Sequence, residues 1–124
     1  MLESASVVAF APSTDLGRAR AFYRDVLGLA LLHEDGFACV FDANGTTLRI
    51  NLVEELTPAP FTVLGWTVAD VHGTVRGLAA RGVEFLQFDR MGQDELGVWP
   101  APGGALVAWF HDPDGNTLSL TQDP

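Results

Sequence analysis

The chain contains no lysine. All seven of its basic residues are arginine, set against sixteen acidic ones. Without a lysine there is no Schiff base, no phosphate-loop ammonium and no amine acting as general base. The resulting net charge of −9 at pH 7 repels phosphate backbones and anionic headgroups. Nucleic acid and membrane surfaces are therefore not expected partners. Cysteine is also scarce. The single Cys39 rules out a disulfide within the chain and any thiolate cluster. It lies in the apolar run Phe37-Ala38-Cys39-Val40-Phe41, where a buried small hydrophobe is the expected role. No stretch approaches the roughly 18–20 apolar residues of a membrane span. The first residues, MLESASVVAF, carry an acid and no basic n-region, unlike a secretory leader. A cytoplasmic location is expected.

At 124 residues, 48% of them hydrophobic, the chain is long enough for one domain with a real core. The pattern is written twice. An apolar strand over 6–11 is stopped by Pro12-Ser13-Thr14, and Asp15 is placed to cap a helix. Ala19, Phe22, Tyr23, Val26 and Leu27 then recur at the spacing of one buried helical face, and Gly28 ends it. Strands are predicted over 29–33, 37–41 and 46–53, separated by the hairpin dipeptides Asp35-Gly36 and Asn44-Gly45. The second half repeats the order. A strand over 61–68 is followed by Asp70 as N-cap and by Val71, Val75, Leu78 and Ala79 as the helical stripe, with Gly82 at its end. Strands are then predicted over 83–88, 105–110 and 117–121. The expected fold is α+β: two βαβββ modules over about 5–53 and 61–122, with a linker over 54–60. Two such curved sheets are expected to form a half-open groove on the side away from the helices, which is a natural ligand site.

The segment His111-Asp112-Pro113-Asp114-Gly115-Asn116 raises a question of chemistry. Asp112, Asp114 and Asn116 match the first ligands of a calcium-binding loop. However, Thr117 stands where such a loop needs its glycine, and Asp123 where it needs a bidentate glutamate. The expected role is mechanical: a turn that sets the register of the last strand.

The paired motifs Phe22-Tyr23-Arg24-Asp25-Val26-Leu27-Gly28 and Asp112-Pro113-Asp114-Gly115-Asn116, inside a doubled βαβββ pattern, resemble the vicinal oxygen chelate superfamily. This is the group of glyoxalase I, extradiol dioxygenases, and fosfomycin- and bleomycin-resistance proteins. The resemblance covers nearly the whole chain and implies the groove, a homodimer and, in the enzymes, a divalent metal. That metal is held by a His or Gln on the first strand of each half and a Glu near the end of each half. Aligned by motif, those positions fall on Val8, on Val63 or Leu64, on Arg49 or Asn51, and on Ser119. Valine offers no lone pair, arginine repels a cation, and neutral oxygens are weak donors. The expectation is that there is no metal and no other cofactor.

Strand alternation gives the expected lining: Val8, Phe10, Arg49 and Asn51 in the first half, and Val63, Thr67 and Ser119 in the second. Arg49 would pair with a carboxylate or phosphate, and Trp99 and Trp109 would stack on a flat ligand. Such a lining suits an uncharged or anionic organic molecule. The acidic loop around Asp94 and Glu95 could supply a catalytic carboxylate, with His33 or His111 carrying protons. Three functions compete. They are a small-molecule binder without a metal; a lyase, isomerase or dioxygenase-like enzyme with a non-standard site; and a regulatory dimer with a vestigial groove.

Overall fold

The computed structural model describes residues 1–124, which divide into two units, Met1–Thr57 and Pro58–Pro124. In the first unit, β1 (Val8–Ser13) leads to α1 (Leu16–Arg20), which runs on as a π-helical segment (Ala21–Val26). Then follow β2 (Ala30–Glu34), β3 (Ala38–Ala43) and β4 (Thr46–Leu52). The sheet order is β1-β4-β3-β2. Strands β1 and β4 are parallel and the other pairs antiparallel, as a βαβββ module requires.

Asp15 caps the helix as expected: its Oδ1 accepts a hydrogen bond from the backbone N–H of Arg18 at 3.0 Å. The strand before it differs from the expectation. It runs from residue 8 to residue 13, straight through Pro12. Strand β1 is an edge strand, where a missing N–H costs no ladder bond. The helix keeps its expected buried face but changes type after one turn. Leu27 donates to the carbonyl of Phe22 at 3.0 Å, and Leu29 to that of Tyr23 at 3.0 Å. These rings are wider than those of an α-helix. Ala19 and Tyr23 are fully buried. The Tyr23 ring meets Phe22 edge-on at 5.3 Å and Phe41 at 5.9 Å. Cys39 is buried beside them in β3, as its apolar run implies. Both hairpin dipeptides turn the chain. Asp35 Oδ1 accepts from the N–H groups of Phe37 and Ala38, and Asn44 and Gly45 take the two positive φ values, 51° and 92°, that a tight hairpin requires.

The second unit opens with β5 (Thr62–Thr67) and α2 (Val71–Ala80). It continues with a two-residue β6 (Trp99–Pro100), β7 (Leu106–His111) and β8 (Thr117–Gln122) in the order β5-β8-β7-β6. Asp70 caps α2 through a bond from Gly73 N–H at 3.0 Å. Val71 and Val75 bury the helix face, Leu78 is half-buried, and Ala79 of the expected stripe is exposed. The strand expected over 83–88 is absent. That segment makes one isolated bridge, Phe85 to Phe110, and one bond from Leu86 N–H to the Trp109 carbonyl. The Gln93 side chain takes over much of a missing neighbour's role. Its Nε2 donates to the carbonyls of Leu86 and Gly97 at 2.8 Å each, and its Oε1 accepts from Phe88 N–H at 2.7 Å. With those backbone groups satisfied by a side chain, the segment needs no ladder. The place beside β7 goes to β6, whose Pro100 is tolerated on an edge.

The turn before β8 is mechanical, as expected. Asp112 is 5% exposed. Its Oδ1 accepts from the N–H groups of Asp114 at 3.0 Å and Asn116 at 2.9 Å, and its Oδ2 accepts from the Asn116 amide at 2.8 Å. Gly115 has φ +85°, and a Cβ there would stand 3.1 Å from Pro58. Both facts demand glycine. The turn delivers Thr117 opposite His111 and Ser119 opposite Trp109, with Leu118 and Leu120 buried on the other face.

Candidate functional site

The second unit carries an open hollow of about 940 Å³. Its floor comes from one end of the sheet, where Trp109 and His111 on β7 stand beside Thr117 on β8 and Thr62 on β5. One wall is the chain entering the unit, Pro58 to Phe61. The other is the segment around Leu86, Phe88, Asp89 and Met91. The aromatic rings are arranged in series. Phe88 meets Trp109 nearly at right angles, with centroids 5.5 Å apart, and Trp109 meets Trp99 at 5.9 Å. Phe61 and Phe88 are 64% and 44% exposed, so large apolar surfaces face solvent around the hollow.

The fold brings Trp109 and His111 of the expected site residues into this hollow. Trp99 does not line it but packs against the Trp109 ring. Val63 is exposed and Ser119 half-buried, and neither lines it. Ser119 packs instead on Gly65, where a Cβ would come within 2.5 Å of its Oγ. Thr67 lines a separate, smaller depression with Gln122 and Asp123. Val8, Phe10, Arg49 and Asn51 belong to the first unit. There Val8 and Phe10 are exposed, and Arg49 and Asn51 half-buried. The strand Phe10 is on lies against β4 so that Phe10 is opposite Arg49, and Arg49 joins none of the chain's ion pairs.

The catalytic candidates do not assemble. Asp94 is a loop clasp. Its Oδ1 accepts from the N–H groups of Leu96 and Val98 at 2.9 Å each, and its Oδ2 meets His72 Nε2 at 2.8 Å. Burial works to raise its pKa, but the His72 contact and the two backbone bonds outweigh that and hold it below the usual carboxylate value. Glu95 borders a small depression beside α2, with Val75 and Phe85. His33 is exposed on β2, where it meets Asp35 at 3.3 Å. His111 alone reaches the hollow.

The strand registers show which residues of the two units are counterparts. Phe10 precedes its N-cap Asp15 by the same interval as Gly65 precedes Asp70. Phe10 lies opposite Arg49, and Gly65 opposite Ser119. Arg49 and Ser119 are thus counterparts, as are Val8 and Val63. No three His, Cys, Asp or Glu side chains gather anywhere in the chain as a group able to hold a metal ion.

The hollow's walls escaped the reading of the sequence. Residues 58–60 read as linker and 83–88 as strand. Phe61 and Phe88, apolar residues next to turn-forming stretches, were the available signal.

No curated protein matches the chain. Among solved structures, the genomically encoded fosfomycin resistance protein of Listeria monocytogenes superposes with a TM-score of 0.77 at 16% identity, over 98% of this chain and 94% of that one. The bleomycin resistance determinant encoded on transposon Tn5 gives 0.75 at 20%, over 97% and 98%. Lactoylglutathione lyase from Agrobacterium tumefaciens gives 0.74 at 19%, over 96% and 93%. At these identities the likeness establishes the α+β fold. No helix of the chain is long and apolar enough to cross a membrane. The sequence model of the glyoxalase/bleomycin resistance protein/dioxygenase superfamily matches residues 6–120, and the chain belongs to that superfamily.

Proposed function

We propose that this protein binds a small organic molecule with a substantial apolar or aromatic body in the hollow of its second unit, without a divalent metal. The observation that carries the reading is the ring series Phe88–Trp109–Trp99 beside a hollow of about 940 Å³, a volume suited to a drug-sized ligand. Thr62, Thr117 and His111 supply polar contacts at its floor, and these fix orientation rather than drive binding. The residues at the four metal positions do not fit a divalent ion. By the motif alignment they are Val8, Val63 or Leu64, Arg49 or Asn51, and Ser119, so the set offers at most weak neutral oxygens and, with Arg49, a repelling charge. No step of the function is routed through a metal.

Sequestration is favoured over catalysis because Asp94, the carboxylate best placed by sequence, is committed to its own loop. The experiment is a calorimetric titration with 1-naphthol, a neutral aromatic probe, in the presence of chelator. Saturable binding to the parent and loss of binding in Trp109→Ala support the reading. Equal binding by both proteins counts against it. The same reading includes a homodimer in the cytoplasm. The exposed apolar side chains Val8, Phe10, Leu52 and Val63 favour self-association, and sedimentation equilibrium tests that part independently.

A further inference from the structure

The charge of the ligand follows from what lines the hollow. Among its lining residues Asp89 is the one carboxylate, and no arginine lines it, although Arg90 is the next residue in the chain. Asp89 joins none of the chain's ion pairs, so its charge is not neutralised from within. Arg49, the residue that would favour an anion, lies in the other unit. Phe88 and Trp109 stand at 81° to each other with centroids 5.5 Å apart. The two rings pack edge to face, and the ring faces left open to the hollow are electron-rich surfaces that attract cations within about 6 Å. Phe61 borders the same hollow. The field of the whole chain, at −9, draws cations in and repels anions.

We infer that the hollow takes an organic cation, an alkylated ammonium or comparable delocalised positive group, held against the aromatic surface of Trp109 and Phe88 and paired with the Asp89 carboxylate. The inference rests on the binding reading above and adds the sign of the charge. An anion would meet the Asp89 carboxylate with no arginine in the hollow and His111 as its sole basic side chain. A neutral ligand would leave the carboxylate without use.

The test compares three probes that share one benzene ring: benzyltrimethylammonium, its neutral carbon analogue neopentylbenzene, and benzenesulfonate. Each is titrated into the full chain by following tryptophan fluorescence. The cation is expected to bind about tenfold tighter than the neutral analogue, and the sulfonate more weakly than either. In Asp89→Asn the preference for the cation over the neutral analogue should shrink to about threefold or less, and salt should weaken the cation's binding in the parent. If the neutral analogue or the sulfonate binds as tightly as the cation, or if Asp89→Asn keeps the full preference, the charge assignment is overturned while the hollow stands as a binding site. If no probe binds, or if Trp109→Ala and the gentler Trp109→Phe leave all three affinities unchanged, the binding reading itself fails and the inference falls with it.

Discussion

Replacing Asp112 by alanine removes three hydrogen bonds at once: those from Asp114 N–H, Asn116 N–H and the Asn116 amide. Asp112 and Asn116 are 5% and 2% exposed, so water does not simply take the carboxylate's place. Hydrogen bonds to a charged group contribute about 1.5–3 kcal/mol each. Three of them set an upper bound near 4.5–9 kcal/mol, but bonds within one turn are not additive and the turn relaxes. We expect a loss of about 2–4 kcal/mol, a large share of the roughly 5–15 kcal/mol that holds a typical domain folded. Asp112→Asn keeps one acceptor oxygen. Its new NH₂ faces the Asn116 amide, which can rotate to offer its oxygen, so the cost should be about half. Urea unfolding measures both. Millimolar calcium should change neither parent nor variant, because Asp112 already spends its oxygens on N–H groups. An Asp112→Ala protein within about 0.5 kcal/mol of the parent, the range of an ordinary surface change, would refute the mechanical account of the turn. A parent strongly stabilised by calcium would refute it in favour of an ion-binding loop.

Other consequences follow from the same geometry. Asp94 has its folded pKa lowered, so the stability it contributes is present above the usual carboxylate range. That contribution is lost as pH falls through the lowered value. Protection of the Leu96 and Val98 amides from hydrogen exchange, measured against the intrinsic rate at each pH, should therefore fall in acid, and Asp94→Asn should show reduced protection already at neutral pH. Burial, reinforced by the nearby Glu34 carboxylate, pushes the Cys39 thiol up. Native protein should thus react slowly with a thiol reagent and promptly once unfolded in urea. Gly65→Ala would drive a methyl to 2.5 Å from Ser119 Oγ. It should cost about 1–3 kcal/mol by the usual scale of overpacking, with Ser119→Gly in the same chain restoring part of the loss.

The doubled module could be read from local chemistry. Asp15 and Asp70 cap helices because a short carboxylate reaches the third N–H beyond it, and Asn44-Gly45 turns because both residues accept positive φ. Such signals act within a few residues, so they survive in the sequence alone. The failures are non-local. Gln93 replaces a ladder for residues 86–88 by bonding across several residues, and nothing in the alternation of 83–88 reveals that. The site divides the same way. Trp109 and His111 lie on one face of β7 by simple alternation and were legible. Phe61, Asp89 and Met91 reach the hollow only because the chain entering the unit and the loop after Phe85 come together there. Asp94 read as a free acid because neither its loop bonds nor His72, distant in sequence, were visible.

The central claim is that an organic ligand binds beside Trp109 and needs no metal. The most direct measurement is a calorimetric titration of 1-naphthol into protein stripped with chelator, repeated after loading with zinc, nickel, manganese or iron(II). The account predicts saturable binding of the same affinity in the stripped and loaded samples. Binding that appears only in a metal-loaded sample would contradict it.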